Sequence, residues 1–175
     1  MGEDPGTPVP ASGGRGGAVA VRVADMADPA EAPALLALRR AAREEQRGAP
    51  IDDPDFAPAL RAWLIAEASK RTMWVAEVAV GDEVVPIGML NLLDFRRMPT
   101  PGSDAGGWGY VGNVFVHPEH RGAGVGRLLI DVALAAARER GYARVVLSPS
   151  ARSVPLYRRA GFVDAADGLL VHPLR

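Results

Sequence analysis

Three glycines, Gly122, Gly124 and Gly126, follow Arg121 in VHPEHRGAGVGRLL, where a run of strand-forming residues gives way to helical spacing. At such a junction backbone N–H groups lack partners within the chain and lie at the positive end of a helix dipole, which suits a phosphate. Gly124 and Gly126 remove side chains that would block a close approach, and Arg121 adds a fixed charge. A tight strand-to-helix turn, using glycine only for its backbone freedom, is the plainer reading. Two nucleotide signatures do not fit. Counted from Gly122 or Gly124, the third glycine of the dinucleotide fingerprint is replaced by Arg127 or Leu129, and the Lys-Ser/Thr pair of the nucleotide P-loop is missing.

A strand must lead into this loop and a helix out of it. WGYVGNVFV (108–116) is a strongly apolar strand, and RLLIDVALAAARER (127–140) places apolar residues at 128, 129, 132, 133 and 136, with Gly141 after its end. RVVLSP (144–149) reads as a buried strand, 153–160 as a short helix, and FVDAADGLLVHPL (162–174) as a last strand region. Upstream, 18–26 reads as a strand, 28–47 as a helix opened by Asp28-Pro29, and 54–71 as a second helix. The runs 72–80 and 84–95 flank a short turn and read as a hairpin, and 97–107 as a surface loop. Residues 1–17 are too poor in apolar groups to offset ordering and read as a flexible tail before a single domain over 18–175.

Three separated motifs then agree in order and spacing: Val116-His117-Pro118, Arg-x-x-Gly-x-Gly at 121–126, and Leu156-Tyr157-Arg158-Arg159-Ala160-Gly161-Phe162. The stretch from about Trp108 to Val163 resembles the cofactor half of the GNAT acetyltransferase superfamily. The resemblance implies an α/β fold in which a mixed, mostly antiparallel sheet is flanked by helices. It also implies that the backbone of Arg121, Gly122, Ala123, Gly124, Val125 and Gly126 holds the pyrophosphate of acetyl-CoA. The pantetheine arm would run beside Val114, Phe115 and Val116 as an added strand, with an N–H near Val114 or Phe115 polarising the thioester. Tyr157 matches the tyrosine that protonates the departing thiolate; a buried aromatic anchor is the plainer reading. Ser150 stands seven residues before it, where many relatives carry asparagine, and counts with the cofactor-binding residues.

The general base is not fixed by spacing. Glu77, between apolar neighbours in WVAEVAV, is the first candidate, although an alternating strand would also point it to solvent. Asp94 and a water relayed through Asn113 are the alternatives. His117 and His120 have no third ligand near, so no metal is expected. Asp52, Asp53 and Asp55 could draw a cationic amine or form a solvated turn.

Composition narrows the partners. With 175 residues, 48% hydrophobic and 23% charged, the chain has the make-up of an ordinary globular protein. No cysteine is present, which removes thiolate chemistry and disulfides. A net charge of −1 with interspersed signs lacks the footprint of a nucleic-acid binder, and no apolar run could span a membrane. The start lacks a secretory pattern, so a cytoplasmic place is expected. The expected partner is a small-molecule or protein amine, with a homodimer left open. The expected activity is acetyl transfer to a primary amine; the alternatives are a non-catalytic acyl-CoA sensor and a phosphate-loop nucleotide binder of another kind.

Overall fold

The computed structural model describes residues 17–102 and 106–165. Residues 1–16 of the expected tail and most of the expected last strand region lie outside these, and residues 162–165 are irregular.

After β1 (Val19–Ala24), the Asp28 carboxylate accepts from the Ala30 N–H at 2.8 Å and opens a 3-10 turn at Pro29–Glu31. That turn runs into α1 (Ala32–Arg47), whose Leu35, Leu38 and Ala42 are buried at helical spacing. Gly48 ends it with a φ of 72°, donating its N–H to the Glu44 carbonyl at 2.8 Å. α2 (Phe56–Glu67) is shorter than expected because residues Ala68–Lys70 tighten into a 3-10 turn and Arg71 is already extended.

β2 (Arg71–Val80) and β3 (Glu83–Arg96) form the expected hairpin through Gly81-Asp82, and β4 (Gly107–Val116) returns antiparallel beside β3. α3 (Val125–Glu139) then crosses to β5, so the five strands lie in the order β1-β2-β3-β4-β5 with only β4 and β5 parallel. β5 is Val145–Val146 alone, two residues where six were expected. Pro149 offers no N–H to a ladder, and Ser153 and Val154 both donate to the Ser150 carbonyl as the chain turns into α4 (Val154–Arg159). Pairing with β4 stops at Tyr110, so among the described residues no strand covers the outer edge of Val111–Val116.

Two cores, one on each face, hold the sheet rigid around that uncovered edge. Trp74, Leu90 and Leu92 pack with Leu129, Ile130 and Ala133 of α3, while Val75, Met89 and Phe115 pack with Leu35 and Leu38 of α1 and Leu64 of α2. No helix among the described residues is long and apolar enough to cross a membrane.

Candidate active site

β4 breaks register where its outer edge is free. Asn91 faces Gly112 and Met89 faces Phe115, so β4 carries one extra residue there, a β-bulge. Asn113, inside the bulge, has a φ of 52°, in the left-handed region that asparagine tolerates. Beyond it regular pairing resumes, and His117 donates its N–H to the Ile87 carbonyl at 2.8 Å. The alternation of an antiparallel ladder then turns Phe115 toward β3 and leaves the N–H and C=O of Val114 and Val116 facing the open edge. Arg121 Nε caps the Val116 carbonyl at 2.8 Å.

Gly122 and Gly124 have φ of 81° and 86°, and a Cβ built on either would meet nothing within 4 Å. Their task is backbone conformation, and the side they present is open. The first helical bond of α3 runs from Leu128 N–H to the Gly124 carbonyl at 3.0 Å, and no side chain caps the helix, so the N–H groups of Val125, Gly126 and Arg127 have no helical partner. Gly126 has a different reason: its Cβ would sit 3.3 Å from Leu156 and 3.8 Å from Val116, so glycine lets α3 approach α4 and β4.

A cavity of about 690 Å³ gathers Val114, Phe115, Val116, Arg121, Gly122, Gly124, Val125, Gly126, Ser150 and Tyr157. Of the expected cofactor residues, Ala123 alone is absent from its lining. Tyr157 is 8% exposed; burial, and then Tyr110, pushes its hydroxyl pKa up, which keeps the proton in place at neutral pH. Ser150 faces its neighbour Ser153, the two hydroxyls 3.0 Å apart. Arginines 121, 127, 152 and 159 line the wall, against one carboxylate, Glu45 of α1. Glu45 accepts from Arg121 Nη1 at 2.7 Å and from Arg152 Nη1 at 3.0 Å, and the Arg121 bond above all holds its pKa down at about 2. The charge that Arg121 adds is thus held in place by Val116 and Glu45. Arg121 is a latch joining the loop to β4 and α1.

A second cavity of about 340 Å³ lies between α1, α2 and the bulge. Phe56, Leu60, Trp63, Met73 and Met89 are among its walls, and Arg39 Nη1 donates to Asn113 Oδ1 at 3.0 Å at its edge. Spacing could have flagged Arg39 and Glu45: Arg39 falls four residues after Leu35, and Glu45 three after Ala42, on the stripe that α1 buries.

The structure does not bring Glu77 to either cavity. It lies four residues along β2 from Met73, roughly 13 Å at the strand rise, and accepts from Arg22 Nε at 3.0 Å, a guanidinium that also bonds Glu31. Asp94 pairs with Arg140 at 3.1 Å, near the opposite end of β3 from the loop. Asp52, Asp53 and Asp55 line neither cavity; Asp53 Oδ1 accepts from the Asp55 N–H at 3.1 Å in the turn before α2. Among the described residues no group of three or more His, Asp or Glu side chains could hold a metal.

The model of the acetyltransferase (GNAT) family matches residues 35–162. Glucosamine 6-phosphate N-acetyltransferase from Trypanosoma brucei brucei is 39% identical over 54 residues, a match spanning 31% of this chain and 37% of that protein. A GCN5-related N-acetyltransferase from Ralstonia eutropha superposes with a TM-score of 0.64 at 25% identity, covering 89% of this chain and 98% of that one. A protein from Clostridium acetobutylicum described as a predicted acetyltransferase, solved with acetyl-CoA, superposes with a TM-score of 0.65 at 22% identity, covering 88% and 96%.

Proposed function

This chain belongs to the GNAT acetyltransferase family, and we propose that it moves the acetyl group of acetyl-CoA to the primary amine of a small molecule. The observation that carries this reading is the convergence of two cavities on β4, where Val114 lines the larger and Asn113 the smaller. One cavity suits the donor, the other an acceptor.

The larger cavity fits the donor's chemistry. Unpartnered N–H groups at the start of α3, open glycines at 122 and 124, and the guanidinium of Arg159 suit a pyrophosphate, while the uncovered edge of β4 can pair with an amide-bearing arm. Acetyl-CoA supplies an activated thioester there. The outward N–H of Val114 stabilises charge developing on the thioester oxygen. Tyr157, with its proton held by burial, hands it to the departing sulfur. The second cavity admits the amine beside Asn113, and because no carboxylate among the described residues lines that cavity, the amine proton passes to water. Glu77 has no role in this scheme. We also assign the activity to one domain over residues 18–175.

A non-catalytic acyl-CoA sensor would need the larger cavity but not the smaller one lined by Asn113. Thiol release from acetyl-CoA in the presence of a panel of primary amines separates the two. Amine-dependent release is the expected result, and binding of acetyl-CoA without release under any amine would favour the sensor.

A further inference from the structure

We infer that the acceptor is an apolar α-amino acid, its carboxylate held by Arg39 and its side chain by the walls of the second cavity. The inference rests on the proposed function, and adds the chemical class of the amine.

Among the residues lining that cavity, Arg39 and Asn113 supply the only charged or amide groups. Everything else is aliphatic, aromatic or thioether. Arg39 gives one N–H to Asn113 Oδ1, and among the described residues no carboxylate pairs with it, whereas Arg71 and Arg121 each hold one and Arg22 holds two. Arg39 is half-buried, and desolvation, with Arg43 nearby, pushes its pKa down without an anion among the described residues to offset the cost. A carboxylate arriving there would take two parallel N–H bonds, the arrangement that guanidinium geometry favours.

Position completes the case. Arg39 is bonded to the residue next to Val114, and in an α-amino acid the nitrogen is two bonds from the carboxyl carbon. A carboxylate on Arg39 therefore sets the amine beside the Val114 N–H, and the side chain points among Phe56, Trp63, Met73 and Met89. The amine nitrogen bonds to the acetyl carbon as the carbon–sulfur bond breaks; its proton goes to water and Tyr157 protonates the sulfur, giving an N-acetyl amino acid and CoA. An amino-sugar phosphate would bring several hydroxyls against walls with no partners for them, each a desolvation cost.

The test measures binding of L-phenylalanine, phenethylamine, glycine and glucosamine 6-phosphate by calorimetry, with thiol release from acetyl-CoA followed in parallel, for wild type and Arg39→Met. L-Phenylalanine should bind about tenfold to a hundredfold tighter than phenethylamine, the scale of a charge-assisted pair, and the Arg39→Met change should bring that ratio close to one. Circular dichroism and unchanged acetyl-CoA affinity establish that the variant is folded. Preference for glucosamine 6-phosphate or phenethylamine, or an unaltered ratio in Arg39→Met, would overturn the inference. Arg39-dependent binding of L-phenylalanine without thiol release would uphold this site and defeat the transferase reading instead.

Discussion

Asn113 and Val114 are consecutive on β4, yet each lines a different cavity. Successive side chains of a strand point to opposite faces, which turns Asn113 toward α1 and Val114 toward α3, while the extra residue of the bulge and the left-handed φ of Asn113 shift the phase of both relative to Val111. A donor and an acceptor can thus approach one peptide unit from two sides.

Gly124 should be intolerant of a side chain. Its φ of 86° costs an L residue roughly 1–2 kcal/mol, and a branched chain would also project into the open face above α3. Gly124→Val should lower the melting temperature and weaken acetyl-CoA binding at a temperature where the variant is still folded. Calorimetry giving near-wild-type affinity would place the pyrophosphate elsewhere.

Glu77→Gln should leave turnover within about twofold of wild type, since its carboxylate serves Arg22; loss of a general base would cost ~10²–10⁴-fold. The pH profile gives a second reading of the same question. With water as proton acceptor, kcat/KM should climb until the amine itself is deprotonated, whereas a plateau well below the amine pKa would indicate a side-chain base.

Glu45 should make stability depend on acid. Its carboxyl titrates at about 2 in the folded chain against an ordinary 4.5, so the Arg121 and Arg152 pairs contribute fully above that ordinary value and are lost as pH falls from 4.5 through about 2. The carboxylate is a third exposed, so salt should screen much of the effect. The melting-temperature gap between wild type and Glu45→Gln should be present at pH 7 and close over that acid window; a constant gap would mean the latch is not electrostatic.

Much of the fold was legible because its signals are local. The periodicity of α1 and α3, the Gly81-Asp82 hairpin and the positive-φ glycines at 122 and 124 each depend on a few neighbouring residues. β5 was overestimated because an apolar run does not reveal where its partner strand ceases to pair. Arg39 is not legible as a site residue because an arginine beside a buried stripe looks like the margin of an amphipathic helix; only α2 folding over it encloses a cavity. The apolar neighbours of Glu77 in sequence suggest a buried carboxylate, while its actual environment is set by Arg22, 55 residues away.

Tyr157→Phe separates chemistry from packing. The ring keeps its edge-on contact with Phe162, 5.7 Å between centroids, while the proton donor disappears. Turnover should fall by ~10²–10⁴-fold with acetyl-CoA affinity and melting temperature nearly unchanged. Wild-type kcat in the variant would leave the tyrosine a core aromatic.

The most direct measurement is a crystal structure of the protein with acetyl-CoA. The thioester oxygen should lie about 2.9 Å from the Val114 nitrogen, with the sulfur beside the Tyr157 hydroxyl and the pyrophosphate on the backbone of residues 122–126. A pantetheine arm that does not pair with β4, or a thioester directed away from Val114, would contradict the account.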